Sequence, residues 1–211
     1  MTAKQKKNQK VDERKFEDAS KVERITIDST FVDVNISVSE QSKVEAHLYG
    51  QSNAESEIEF DVGLVNHKLR ITVKTDSFIG NLKLDITVPS KVFKSISVKT
   101  SSADVFFHEN ISTELLEVET MSGDLNTNAT FNSAYITSMS GDIDLCTNAQ
   151  NDITAKASTM SGDVSAEFNN IGYIDASANS MSGDVKNHHK DQSGHYAKVN
   201  ISTMSGDIRI R

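Results

Sequence analysis

The sequence contains one cysteine, Cys146, one proline, Pro89, and no tryptophan in 211 residues. A single cysteine excludes an intrachain disulfide and fits a reducing compartment. Aromatic residues make up 6% of the chain and hydrophobic residues 36%, which suits a thin, elongated core of small branched side chains better than one spherical core. No apolar run approaches the roughly 20 residues of a membrane-spanning helix, and no apolar segment follows the basic N-terminus as in a signal peptide. By sequence alone, these features predict a cytoplasmic protein.

The chain is acidic, with a formal net charge of -8. Phosphate backbones are bound by clustered Lys and Arg, so this balance argues against a nucleic-acid partner. The one basic cluster is the N-terminal "MTAKQKKNQK". The sequence predicts a disordered basic tail over residues 1–21 and a single domain over residues 22–211.

A five-residue motif, Met-Ser-Gly-Asp followed by a branched aliphatic residue, occurs five times. A degenerate copy, "SSADV", places Asp104 at the same position, and "TFVDVNI", around Asp33, is a weaker one. From Asp104 onward, successive aspartates are 18 to 23 residues apart. The motif positions predicted to be structural repeat positions are Met121, Ser122, Gly123, Asp124, Met139, Ser140, Gly141, Asp142, Met160, Ser161, Gly162, Asp163, Met181, Ser182, Gly183, Asp184, Met204, Ser205, Gly206 and Asp207.

Short runs of alternating apolar and polar residues follow and precede each motif, and Asn-rich corners separate them. Period two predicts strands, and Asn, Asp, Ser and Gly between the runs predict turns. A unit this short cannot bury its own apolar face unless it stacks on copies of itself. The sequence therefore predicts an all-β fold, a β-solenoid with about 18–23 residues per coil. Residues 101–211 would form regular coils and residues 22–100 degenerate ones, with a separate N-terminal β-sandwich as the alternative.

Strict alternation assigns each motif position a direction. The methionine and the aliphatic residue are predicted to point inward, with the glycine at a bend that needs close backbone approach or positive φ. Serine and aspartate would lie at the surface and hydrogen-bond to nearby backbone.

Two other interpretations of the aspartates remain open. A stack of carboxylates one coil apart could be bridged by calcium, which prefers oxygen ligands. Alternatively, Asp142, Asp144 and Asp163 could form the carboxylate cluster of a polysaccharide lyase or hydrolase, but no Arg or Lys accompanies them. Acid and base roles need carboxylates in different surroundings, whereas each copy here has the same context. The turn-forming interpretation is favoured, with no metal, cofactor or catalytic residue.

Histidine and cysteine give weaker signals. His188, His189 and His195 lie in the longest corner and could bind zinc, but the stretch is rich in Lys, Asp and Gln, so a solvated loop is favoured. Cys146 has no His or Asn partner nearby in sequence, which argues against a catalytic thiol.

The serial "MSGDI" and "MSGDV" units, preceded by "LDITVPSKVFKSISVKTSSADVFF", make residues 22–211 resemble the bacterial putative-adhesin domain-of-unknown-function family. The resemblance implies a right-handed, largely parallel β-solenoid and a link to the cell envelope, and it implies no catalytic motif. The combined prediction is a non-enzymatic binding or scaffold protein whose partner is an envelope component, a glycan or a protein. We expect the last motif copy to form the end of the stack, blunted by Arg209 and Arg211, with homodimerisation through the solenoid ends.

Overall fold

The computed structural model describes residues 9–52, 57–75 and 81–211. They form an all-β chain of nineteen strands and one turn of 3-10 helix, Ala19–Lys21. The strands of the N-terminal half are β1 (Gln9–Asp18), β2 (Arg24–Ser29), β3 (Asp33–Ser39), β4 (Lys43–Ser52), β5 (Ile58–Val65), β6 (Lys68–Thr75), β7 (Lys83–Pro89), β8 (Val92–Ser102) and β9 (Val105–Phe107). The repeat region forms β10 (Ser112–Ser122), β11 (Leu125–Thr127), β12 (Thr130–Ser140), β13 (Ile143–Asn148), β14 (Ile153–Ser161), β15 (Val164–Asn169), β16 (Ile171–Ser182), β17 (Val185–Asn187), β18 (His195–Ser205) and β19 (Ile208–Ile210).

The strands form two sheets that share one hydrophobic core. The first sheet has the order β1-β4-β7-β3-β9-β11-β13-β15-β19-β17, and the second has the order β16-β18-β14-β12-β10-β8-β2-β6-β5. A coil is one strand of the second sheet followed by one strand of the first, as in β10 and β11. The degenerate coils β2–β3, β6–β7 and β8–β9 belong to the same two sheets as the repeats, so the N-terminal half does not form a separate sandwich.

The coils pair in parallel across the repeats, and each motif lies beside the next in register. Pairing is antiparallel between β1 and β4, β4 and β7, and β5 and β6. The prediction of a parallel solenoid is therefore confirmed for the coils, while the N-terminal end is a mixed arrangement.

The order of coils in space differs from their order along the chain at both ends. The coil β18–β19 is inserted between β14–β15 and β16–β17, and β2–β3 lies between β6–β7 and β8–β9. The prediction that the last motif copy forms the end of the stack is therefore wrong. The end is formed by β16–β17, and Arg209 and Arg211 belong to the penultimate coil.

The N-terminal segment also differs from its prediction. Gln9–Asp18 form β1 because they pair along their length with β4, and the Asp18 side chain accepts a hydrogen bond from the Ser20 amide at the start of the 3-10 turn. The prediction of a disordered tail is thus wrong for residues 9–21, while residues 1–8 of the predicted basic tail lie outside the described residues. Lys91 fixes the turn, since its Nζ donates to the carbonyl oxygens of Ala19, at 2.6 Å, and Val22.

Candidate functional site

Each motif lies at a corner where a strand of the second sheet passes to a strand of the first. The motif glycines adopt φ between 126° and 152°, a region that other residues rarely occupy. A Cβ on Gly141 would lie 2.2 Å from the carbonyl oxygen of Gly123, and a Cβ on Gly162 would lie 2.1 Å from that of Gly141. The interpretation of glycine as a tight bend with close backbone approach is confirmed on both grounds.

The motif aspartates form a continuous hydrogen-bonded column, the aspartate ladder. The backbone amide of Asp142 donates to Asp124 Oδ1 at 2.9 Å, and the amide of Asp163 donates to Asp142 Oδ1 at 2.8 Å. The same contact links every successive pair in the stack order Asp33, Asp104, Asp124, Asp142, Asp163, Asp207 and Asp184. The carboxylates therefore satisfy backbone donors of the adjacent coil rather than of their own turn.

The methionines point outward, so the prediction that they fill the core is wrong. Their exposed fractions range from 48% at Met160 to 80% at Met181. The residue just before each methionine points inward instead, as buried Thr120 and Thr159 do. After the motif corner, the next residue that enters the core is the aliphatic one. The positive-φ glycine changes the alternation by one residue at the corner, which a strict period of two does not anticipate.

The exposed methionines form one row along the stack. Strand register places neighbours side by side in the order Met121, Met139, Met160, Met204 and Met181, which we call the methionine row. Adjacent strands lie about 4.8 Å apart, so the row is about 19 Å long.

A shallow groove of about 790 Å³ follows this row. Its apolar lining consists of four methionines of the row and, further along the stack, the half-buried Phe31. The motif serines form its polar edge. The aspartate ladder lies beyond this edge, because each motif aspartate is two residues after the serine. We call this surface the methionine groove. Sequence reasoning missed it because it placed the methionines in the core; the signal was the repetition of methionine itself.

The three carboxylates of the enzymatic alternative are not set apart from the other repeats. Asp142 and Asp163 are members of the ladder, and Asp144 is exposed on β13 between Asn126 and Ser165. Across the described residues, none of these three carboxylates forms an ion pair with a cationic side chain. The copies are equivalent, and nothing distinguishes an acid from a base.

The three histidines of the longest corner lie on different elements, and the zinc interpretation that they raised is not favoured. His188 and His189 follow β17, and His195 begins β18, where its Nδ1 lies 4.0 Å from Asp152 Oδ1. Within residues 9–52, 57–75 and 81–211, no group of three or more His, Cys, Asp or Glu side chains could hold a metal ion.

Cys146 is half-buried on the outer side of β13. Its sulfur lies 3.8 Å from the Asn169 Nδ2, which donates to it. Burial, followed by the negative charges of Glu167 and Glu109, raises the pKa of the thiol. A raised pKa leaves little thiolate, the reactive form, which argues against a nucleophilic role.

One family model covers the repeats and the degenerate coils before them. The Toastrack DUF4097 family model matches residues 22–211. This chain belongs to the Toastrack DUF4097 family. The limits of the matched region coincide with those of the domain predicted from the sequence.

Two crystal structures share the fold. A putative cell adhesion protein from Clostridium sporogenes ATCC 15579 has a TM-score of 0.59 at 15% identity, over 96% of this chain and 99% of that one. A putative adhesin from Bacteroides fragilis NCTC 9343 has a TM-score of 0.53 at 15% identity, over 95% of this chain and 97% of that one. No curated protein sequence matches this chain. Both of these neighbours carry names that refer to adhesion, and neither name is that of an enzyme.

In the part of the chain that the structure describes, no helix is long and apolar enough to cross a bilayer.

Proposed function

We propose that this Toastrack domain is a non-enzymatic binding protein of the cell envelope, and that its methionine groove holds an amphipathic helix of a partner protein. The observation that carries the proposal is the row of five methionines, each about half exposed or more, on adjacent strands. Aligned apolar side chains on a soluble surface are typical of interaction sites. Methionine suits such a surface because its flexible thioether chain adapts to different partners.

The spacing of the row favours a helix as the occupant. Strands repeat every ~4.8 Å, while an α-helix presents one face every turn of ~5.4 Å. An extended peptide lying along the stack would present side chains on one face every ~6.7 Å, so it would miss most methionines. From Phe31 to Met181 the surface spans seven coils, and the six steps of ~4.8 Å between them make it about 29 Å long, which matches a helix of about 19 residues.

Charge sets the orientation of the helix. The aspartate ladder runs along one side of the groove, while the residues on the other side are mainly uncharged, namely Thr137, Ser158, Ser202 and Asn179, with Glu119 at one coil. In the described chain, Asp104, Asp124, Asp142 and Asp163 have no ion-pair partner. A partner helix with basic residues beside its apolar stripe would place them against this ladder.

Two further parts of the proposal come from the family resemblance. The adhesin-like neighbours support a location at the cell envelope. We take the solenoid to be right-handed, with coils of about 18–23 residues that follow the aspartate spacing. The uniform ladder supports binding over a polysaccharide-active enzyme.

The test uses a synthetic 18-residue helix with a leucine stripe and lysines beside it, labelled for fluorescence anisotropy. We expect binding by the wild-type protein and at least tenfold weaker binding by the triple variant M139S/M160S/M204S. The control triple variant Y135S/K156S/N200S changes another outward row on the same strands, four residues before the methionines, and should bind as the wild type does. The proposal would be contradicted if the two triple variants bound the peptide equally well. It would also be contradicted if the wild-type protein bound a scrambled peptide, which cannot form the stripe, as well as it binds the original.

We also propose that the domain pairs with a second copy through the open end at β16 and β17. In the described residues, no strand pairs with the outer edges of these two strands. Val185 is 43% exposed there, whereas the equivalent Val164 and Ile208 of covered coils are 1% and 0% exposed. An antiparallel contact between two β16 edges would bury this apolar end, and Asp175 is the one charged residue of β16.

A further inference from the structure

Two motif positions, the methionine and the serine, have no role in the corner geometry, the ladder or the core. The glycine is needed for the corner, the aspartate for the ladder and the aliphatic residue for the core. The methionine side chain instead points into solvent, about half exposed or more at every copy. Its repetition therefore points to a property of the exposed side chain.

That property is not apolar area alone. The outward row two residues earlier varies among Glu119, Thr137, Ser158, Ser202 and Asn179, so neighbouring outward positions of the same coils differ freely. If the row needed only apolar surface, β-branched or aromatic residues would suit an exposed strand better than methionine. What five methionines share, and those residues lack, is the thioether sulfur.

Aligned thioethers are ligands for soft monovalent ions. Thioether sulfur selects Cu(I) over harder ions such as Ca²⁺, Mg²⁺ and Mn²⁺, and Ag(I) has the same d¹⁰ configuration. A sulfur–metal bond is about 2.3 Å long, as for Zn–S. Two such bonds in line span about 4.6 Å, close to the ~4.8 Å between neighbouring strands.

We propose that the methionine row binds soft monovalent cations, Cu(I) and its analogue Ag(I), each bridged between methionines of adjacent coils. The three rotatable bonds of methionine allow neighbouring sulfurs to approach a common ion. Five methionines form two separate pairs with one left over, so about two ions bind per chain.

The surroundings supply the negative charge that a bound cation needs, while the thioethers supply the preference for a soft ion. Thioethers are neutral and do not offset the charge of a bound ion, but the aspartate ladder runs alongside the row and supplies negative charge. In the described chain, no group of His, Cys, Asp and Glu ligands competes as a ready-made site for zinc.

The proposal goes beyond the proposed function and does not rest on it. Helix binding requires apolar surface, which leucine also supplies, whereas ion binding requires sulfur. Substitution of methionine by leucine therefore separates the two: it abolishes ion binding and leaves helix binding intact.

The experiment is a titration of the full chain with silver nitrate in chloride-free buffer, followed by calorimetry. All samples carry C146S, because a free thiol binds silver on its own. The parent should bind about two Ag(I), and the variant M139L/M160L/M204L should bind at least tenfold more weakly. Calcium or zinc at the same concentration should give no heat attributable to the row.

A second readout keeps the result independent of folding and of the histidines. With ¹³C-labelled methionine methyl groups, Ag(I) should shift the resonances of Met121, Met139, Met160, Met204 and Met181. The resonance of Met1, outside the row, should not move to a comparable extent. Unchanged row resonances in the parent, or silver affinity that is the same in the leucine variant, would overturn the proposal.

Discussion

The two ends of the stack are finished in different ways. At the N-terminal end, β1 and β5 pair antiparallel with their neighbours, and β1 is dense in charge, "QKVDERKFED". At the other end, β16 is parallel to its neighbour and contains a single charged residue, Asp175. Charged edge strands discourage pairing with another chain, and bare ones invite it. One end of the stack is therefore protected by the charges of its own edge strand, while the edge at the other end lacks that protection.

The largest expected effect on stability comes from replacing a corner glycine, and it should differ between a corner inside the stack and the corner at the open end. G162A should lower the free energy of unfolding by about 3 kcal/mol or more, because positive φ and a Cβ contact with a carbonyl combine. In G183A the added Cβ would lie 2.0 Å from the Gly206 carbonyl oxygen. Because β16 and β17 each pair with a neighbouring strand on one side only in the described residues, we expect this coil to yield more easily and the loss to be about half as large. Urea unfolding followed by circular dichroism measures both.

The matched control is G63A on β5. A Cβ there would meet its nearest atom, Asp61 Oδ2, at 3.9 Å, so we expect a change within about 0.5 kcal/mol. Equal loss in G162A and G183A would show that the end coil is as rigid as the interior.

The next largest effect comes from shortening the aliphatic residue of the motif, in a covered coil and in the coil at the open end. V164A removes two methyl groups from a site that is 1% exposed, and we expect a loss of about 2 kcal/mol. V185A removes the same groups where 43% is exposed, and we expect less than about 1 kcal/mol. Urea midpoints at a low protein concentration report the difference. A comparable loss in V185A would mean that the end is already covered, as by a second copy.

Self-association should depend on the open end. A178K places a charge on the inward side of β16, where a second copy would have to bury it, and we expect a shift from dimer to monomer. N179K adds the same charge one residue away on the outward side and should leave the dimer in place. Size-exclusion chromatography with light scattering distinguishes them. A wild-type chain that is monomeric at high micromolar concentration would contradict pairing through this end.

The smallest effect is acid sensitivity of the N-terminal end. A hydrogen bond from His47 lowers the pKa of Asp12, the Ser20 amide lowers the pKa of Asp18, and a hydrogen bond from Lys94 lowers the pKa of Glu23. A lowered folded-state pKa gives stability that is present above the unfolded value near 4 and is lost as the pH falls through the folded value.

Hydrogen exchange corrected for intrinsic rates should therefore show β1 losing protection between pH 5 and pH 2.5 before β18 does. These carboxyls are exposed, so the change is modest. D12N should lose part of the pH dependence. Simultaneous loss in both strands would assign acid sensitivity to the stack as a whole.

Much of the stack followed from the sequence because the repeat has few physical solutions. Alternation and a period near 20 residues predict stacked coils, and the glycines and aspartates were placed correctly at corner and surface. The link from Asp33 to Asp104 confirms that even the degenerate copy belongs to the ladder.

Two features could not be obtained by following the chain. The direction of the methionines depends on the one-residue change at the glycine corner, which arises from backbone conformation rather than from side-chain polarity. The position of β18–β19 depends on which neighbour each coil prefers, and coils with the same motif offer nearly the same pairing surface. The sequence encodes the coil more strongly than the order of coils.

The inserted coil has a consequence for how the chain is made. When the ribosome releases β16–β17, this coil cannot yet pair in its final position, because that position is separated from β14–β15 by the width of one coil. The gap is filled only when β18–β19 emerges. Parallel pairing between distant segments is slow to form, so β18–β19, which are synthesised after β16–β17, act as a latch on strands made earlier. Loss of β18–β19 alone would detach two coils rather than one.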